Sequence, residues 1–177
     1  MNIIGNYCFF YKDWLSNFHQ APFIHSTPFG PCGKKVICQT SEQAFQYDKA
    51  RFFGDLELAD IILQCDDPKV SLVLGNRVKG FDSEKWGKVR RQAMSQAVLE
   101  KYEGNLILAQ RLLDPVFDNK VFVEASPIDT YWGIGMAVND PDIEDSTLWK
   151  GRNILGQIIT ETRSRLADLV AKGTDSK

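Results

Sequence analysis

The helical periodicity that sets in at Thr40 constrains the fold most. Thr40 followed three residues later by Gln43 is a capping-box signature, and the helix it opens reads through about Phe53, where Gly54 stops it. Asp55 to Gln64 reads as a second helix. Asp67-Pro68 opens a third, because proline is tolerated in a first turn. The longest run spans Ser83 to Glu103 and stops at Gly104, with Trp86, Val89, Ala93, Ala97 and Leu99 to Tyr102 on an apolar face. Asn105 to Leu113 reads as a short helix before Asp114-Pro115. Arg152 to Ala171 reads as the last one, with Leu155, Ile158, Ile159, Leu166 and Leu169 to one side.

Strand signals are few and short. Tyr7 to Tyr11 and Lys34 to Cys38 predict a hairpin with a long connection through Pro22, Pro28, Gly30, Pro31 and Gly33. Val121 to Glu124 is the best strand of the chain. Ala125 to Trp149 reads as a long structured loop, where binding groups tend to sit. The expectation is a mainly α chain with a few short β-strands, a helix-dominated α+β fold in one compact domain over residues 1–171. A frayed tail at 172–177 follows. A doubly wound α/β sheet does not fit this order.

Length and composition agree. The chain has 177 residues, enough for one buried core, and 44% hydrophobic with 25% charged residues excludes disorder for its bulk. A net charge of −2 provides no broad basic field for a nucleic-acid backbone. The four cysteines, Cys8, Cys32, Cys38 and Cys65, show no metal-binding spacing, and His19 and His25 are the only histidines, both placed in the N-terminal loop region. The expectations are therefore no metal, no cofactor, reduced thiols and a cytoplasmic location. The start has no basic stretch followed by an apolar one, so no secretory leader is expected, and no apolar run reaches membrane-spanning length.

Three segments carry candidate chemistry. In Ser41-Glu42-Gln43-Ala44-Phe45-Gln46-Tyr47-Asp48-Lys49-Ala50, residues Glu42, Gln46 and Lys49 stand at i, i+4 and i+7 on one helical stripe. Phe45 and Phe52 or Phe53 lie beside that stripe. If it faces inward, the polar groups must be paired or serve a ligand. On spacing alone a solvated Glu–Lys helix is the slightly better reading. In Val123-Glu124-Ala125-Ser126-Pro127-Ile128-Asp129-Thr130-Tyr131-Trp132-Gly133-Ile134-Gly135 a strand hands over to a loop. Trp132 there offers a flat face, Asp129 a group to orient a sugar hydroxyl, and Gly133 and Gly135 a close backbone approach. A tight turn with a packing Trp is the plain alternative. In Lys150-Gly151-Arg152-Asn153-Ile154-Leu155-Gly156, Asn153 sits at a helix start suited to an anion, although a simple helix terminus is the better reading. Gly75-Asn76-Arg77 offers a phosphate-binding Arg or an exposed helix end. Lys85, Lys88, Arg90 and Arg91 form a basic run that reads first as a solvated face.

Taken in order, these segments resemble the YbiA-like, or NADAR, family of N-glycosidases. The resemblance runs from Phe9 to about Leu166 through Leu15-Ser16-Asn17-Phe18, Ser41-Glu42 with Gln46 and Lys49-Ala50, and Gly75 with Arg77. It continues through Trp86 with Arg90 and Met94, Val123-Glu124 with Ser126, Asp129 and Trp132-Gly133, Gly135, and finally Asn153 with Leu155-Gly156. The sequence departs from the family at Gln43, where His is frequent, and at Gly75-Asn76-Arg77, where Gly and Arg are often adjacent. The resemblance implies a largely helical fold and cleavage of N-glycosidic bonds of ribose compounds, either ribosylamino-pyrimidine phosphates of the riboflavin pathway or ADP-ribosyl-guanine. It implies Glu42, Lys49 and Asp129 as catalytic residues. Asn17, Phe18, Gln46, Arg77, Trp86, Glu124, Ser126, Trp132, Gly133, Gly135 and Asn153 are implied as substrate-binding residues.

The implied partner is a small-molecule nucleotide or an ADP-ribosylated base, free or within nucleic acid, with no membrane involved and the oligomeric state open. Two other readings compete: a non-catalytic binder of ADP-ribose or a related nucleotide, and a nucleic-acid-interacting protein that uses the Lys85–Arg91 face.

Overall fold

The computed structural model describes residues 1–30 and 34–174. Pro31, Cys32, Gly33 and the tail residues 175–177 lie outside the described residues. The chain divides into two compact units, one spanning Asn17–Asn105 and the other combining residues 1–16 with the stretch from Leu106 onward. Helices predominate, as in the expected helix-dominated α+β fold. No helix among the described residues is long and apolar enough to cross a membrane.

The Asn17–Asn105 unit is built around helix α1 (Ser41–Phe52). Against it pack α2 (Leu56–Leu63), α3 (Pro68–Gly75), α4 (Ser83–Glu103) and a two-stranded antiparallel ladder of β3 (Phe23–Ser26) and β4 (Lys35–Cys38). Local chemistry sets the helix starts. Thr40 Oγ1 accepts the Gln43 amide at 3.0 Å, Asp55 and Asp67 cap α2 and α3, and Asp82 Oδ1 accepts the amides of Glu84 and Lys85 on α4. The capping box is only half made. Gln43 turns inward, accepts the Gln39 amide at 2.7 Å and donates to the carbonyls of Ile62 and Cys65, tying α1 to the end of α2.

All ten residues from Ser41 to Ala50 are buried. The solvated Glu–Lys helix is therefore not what forms. Such a helix needs partners for its polar groups on every side. One set of partners lies at His25, on strand β3 and not in a loop as expected. Its side chain points inward with Phe23, while Ile24 points out. His25 is fully buried; its Nδ1 lies 2.6 Å from Glu100 Oε2 on α4 and its Nε2 3.0 Å from Asp48 Oδ1 on α1. Both ring nitrogens face carboxyl oxygens, a setting that favours the imidazolium, which donates from both, while burial raises the Asp48 pKa. Burial alone would favour the neutral ring. The hydrogen bonds and charges of Asp48 and Glu100 outweigh it and raise the His25 pKa to about 9.

The other unit holds a three-stranded sheet in the order β1-β2-β5, with β1 (Asn2–Ile4) antiparallel and β5 (Val121–Glu124) parallel to β2 (Tyr7–Phe10). The predicted hairpin between the Tyr7 and Lys34 segments does not form. Cys8, Phe9 and Phe10 are fully buried, which suits a central strand, and β2 pairs on both sides within its own unit. The Lys34 segment pairs with β3, a strand that its Pro-flanked sequence concealed. Helix α5 (Leu106–Leu112) precedes β5, and α6 (Ile154–Thr174) packs on it. Helix α6 runs three residues past the expected end at Ala171. A Cβ on Gly156 would lie 2.1 Å from the Phe122 carbonyl, so only glycine lets α6 come this close to the strand. Phe9, Val123, Ile134, Met136 and Ile143 form the core here, with Tyr7 and Trp149 against it.

The His25 cluster has a measurable consequence. Because its folded pKa lies above the ordinary 6.5, His25 contributes stability that is fully present below pH 6.5 and is lost as pH rises through about 9. Denaturant unfolding followed across this range should show the decline. His25→Gln should lower stability by about 3–5 kcal/mol at pH 6 and flatten the pH slope. An unchanged slope in His25→Gln would show that another group titrates.

Candidate active site

Helix α1 carries the candidate site on the face that the spacing of Glu42, Gln46 and Lys49 predicted. Glu42 is 4% exposed and Lys49 8%. Two carboxamides hold the Glu42 carboxylate. Gln46 Nε2 donates to Oε1 at 2.7 Å, and Asn17 Nδ2 donates to Oε2. Asn17 also fixes the backbone, its carbonyl accepting the Glu42 amide at 3.0 Å. The structure thus brings four of the predicted residues together: Asn17, Glu42, Gln46 and Lys49.

Burial holds the Lys49 ammonium below the ordinary lysine pKa, and the negative charge of Glu42 partly opposes it. Its Nζ sits 4.3 Å from the ring centroid of Phe81, a half-exposed residue in the connection between α3 and α4. Phe81 was not among the predicted residues. Its one sequence signal is an aromatic placed in a Lys-Gly-Phe-Asp turn, where apolar side chains need a reason. Phe53, 5.4 Å away edge-on, backs the ring. Phe45 and Phe52, beside the same stripe, pack on Trp86 at 5.2 and 5.7 Å, together with Phe29 and Phe53. Trp86 is 5% exposed, its faces taken up by phenyl rings.

The remaining predicted residues are placed as follows. Phe18 is half-buried just before Pro22 and β3, and Arg77 is exposed past the end of α3. Of the basic run, Lys85 pairs with Asp82 and Lys88 with Glu84 at the surface, which matches the solvated-face reading for those two. Glu124, Ser126, Asp129, Trp132, Gly133, Gly135 and Asn153 belong to the sheet unit. There Asp129 Oδ1 accepts the amides of Tyr131 and Trp132 at 2.8 and 2.7 Å, and Ser126 Oγ accepts the Asp129 amide, closing an Asx-type turn. Trp132 stands edge-on to Tyr131 at 4.8 Å. Gly133 packs against the Glu124 carbonyl, and Gly135 has φ +67°, in the region that favours glycine. Asn153 extends the sheet edge: its Oδ1 accepts the Glu124 amide at 3.0 Å and its Nδ2 donates to the Phe122 carbonyl at 2.9 Å. Its side chain thus braces β5. Among the described residues no group of three His, Cys, Asp or Glu is arranged to hold a metal ion.

The NADAR domain pattern matches residues 9–167, and the chain belongs to the NADAR family. It is 32% identical over 164 residues to the protein irg-1 of Caenorhabditis elegans, covering 90% of this chain and 76% of that one. It is 34% identical over 128 residues to an N-glycosidase of Acanthamoeba polyphaga mimivirus, covering 70% and 72%. The solved structure of E. coli YbiA superposes with a TM-score of 0.68 at 27% identity, over 96% of this chain and 90% of that one.

Lys49 should titrate below the exposed lysines when followed by NMR of reductively methylated protein. Glu42→Gln should move its midpoint further down, because the carboxylate favours the ammonium. Phe81→Ala should move it up, because water then reaches the amine. A Lys49 midpoint at the ordinary value of 10.5 would contradict the site described here.

Proposed function

We propose that this protein is an N-glycosidase that hydrolyses the C1′–N bond of a ribosylated base, with ADP-ribosyl-guanine or a ribosylamino-pyrimidine phosphate of the riboflavin pathway as the substrate class. One observation carries the reading. A buried carboxylate, hydrogen-bonded by two carboxamides, shares a helix face with a buried amine whose proton is loosely held. Cleavage at an anomeric carbon builds positive charge there, and an ionised carboxylate stabilises it. The amine suits a covalent route. The ribosylamine opens to an imine, and the neutral Lys49 Nζ adds to C1′. The C1′–N bond to the base breaks as the base departs with a proton, leaving a Schiff base on Lys49. Water, deprotonated by Glu42, adds to that C1′, and the Lys49–C1′ bond breaks to release the sugar and restore the amine. Belonging to a family with members named N-glycosidase supports the reaction class. The helical unit supplies these groups. The roles of Asp129 in orienting ribose and of Trp132 in stacking on the base rest on family resemblance alone.

The test is incubation with a panel of ribosylated bases and mass spectrometry of the products. Release of a free base by the parent is expected, unaffected by EDTA. Glu42→Gln and Lys49→Ala should each lose about 10²–10⁴-fold in turnover. Borohydride added with substrate should leave a sugar adduct on Lys49. Turnover without an adduct would reduce the route to direct hydrolysis assisted by Glu42. Tight binding of ADP-ribose with no turnover in the parent would make the protein a binder.

A further inference from the structure

The Gly75-Asn76-Arg77 segment reads in sequence as a phosphate-binding Arg or an exposed helix end, and in the structure its members have different surroundings. Arg77 is exposed, whereas Gly75, the last residue of α3, is buried against α1. Gly75 does not adopt a positive φ, so its lack of a side chain answers a spatial need. A Cβ built there would lie 1.8 Å from Gln46 Oε1, 2.5 Å from its Cδ and 3.1 Å from its Cγ. The end of the Gln46 side chain thus occupies the place of the missing methyl group. Gln46 Oε1 has no hydrogen-bond partner there, although it is buried. The opposite orientation of the carboxamide is worse, because it would turn Oε1 onto the Glu42 carboxylate, which now receives Nε2 at 2.7 Å.

We propose that Gly75 is a positioning residue for Glu42, acting through the carboxamide of Gln46: the space left by the absent Cβ is what allows Gln46 to aim Nε2 at Glu42 Oε1. The inference rests on the reading of Glu42 as the reacting carboxylate. Alanine would otherwise be favoured at a helical position, so a glycine here weakens α3 in exchange for the room it leaves. The three atoms that a methyl group at position 75 meets first all belong to the flexible end of the Gln46 side chain. The carboxamide can swing away, and the hydrogen bond to Glu42 is what breaks.

Two measurements on Gly75→Ala, Gln46→Ala and the double variant test this. In steady-state kinetics Gly75→Ala should lower kcat on the order of tenfold or more with KM within about twofold, as a displaced reacting group does. Gln46→Ala should cost a similar factor, and adding Gly75→Ala to it should change kcat by less than about twofold, because the collision partner is gone. Independently of turnover, the Gln46 side-chain amide protons should exchange slowly with solvent in the parent and fast in Gly75→Ala. If Gly75→Ala fails to fold, Gln46→Ala must rescue it; a double variant that stays unfolded overturns the proposal. Unchanged Gln46 amide exchange in Gly75→Ala, or losses that multiply in the double variant, overturn it as well. Glu42→Gln separates the two claims. If it turns over like the parent, the catalytic reading falls and the amide exchange still decides the role of Gly75. If Glu42→Gln is inactive while Gly75→Ala is fully active, only the positioning proposal falls.

Discussion

The burial of helix α1 governs the rest of the helical unit. Ten consecutive residues leave water, and among them are Glu42, Gln43, Gln46, Asp48 and Lys49. An unpaired charge inside a protein is unstable by several kcal/mol. The neighbouring elements therefore have to deliver partners as well as apolar surface. Strand β3 brings His25 to Asp48, α4 brings Glu100 to His25, the end of α2 offers two carbonyls to Gln43, and the segment before β3 brings Asn17 to Glu42.

These polar groups divide into two sets with different chemical availability. Asp48 and Lys49 are adjacent in sequence, yet successive helical side chains point about 100° apart. Asp48 turns to an imidazolium whose two nitrogens are both engaged, so His25 has no nitrogen left for proton transfer. That set holds three elements together. Lys49 turns to the other face, where its amine meets an aromatic ring and the field of Glu42. A held carboxylate and a loosely protonated amine are what remains there for chemistry. One helix thus serves cohesion on one side and reactivity on the other.

In the sheet unit several polar side chains shape backbone. Asp129 and Ser126 close a turn, and Asn153 continues the hydrogen bonding of β5 where another strand is missing. A loop of this length after a strand needs such internal ties, because its backbone groups would otherwise be buried without partners. Residues that read as ligand contacts from their types alone are here also the means by which the loop holds its form.

The sequence by itself determined the helices and their starts, because capping, proline placement and apolar period act over four or five neighbouring residues. Ser83–Glu103 and Val121–Glu124 stand where local pattern puts them. The i, i+4, i+7 spacing likewise put Glu42, Gln46 and Lys49 on one face. Only the tertiary structure decided that this face is buried, that the Lys34 segment pairs with β3, that His25 is charged, and that Phe81 covers the amine. Each of these depends on groups from 9 to 75 positions apart, whose meeting no local propensity encodes. Burial reversed the balance between a solvated helix and a reactive one, because the same charges cost little in water and demand specific partners once water is removed.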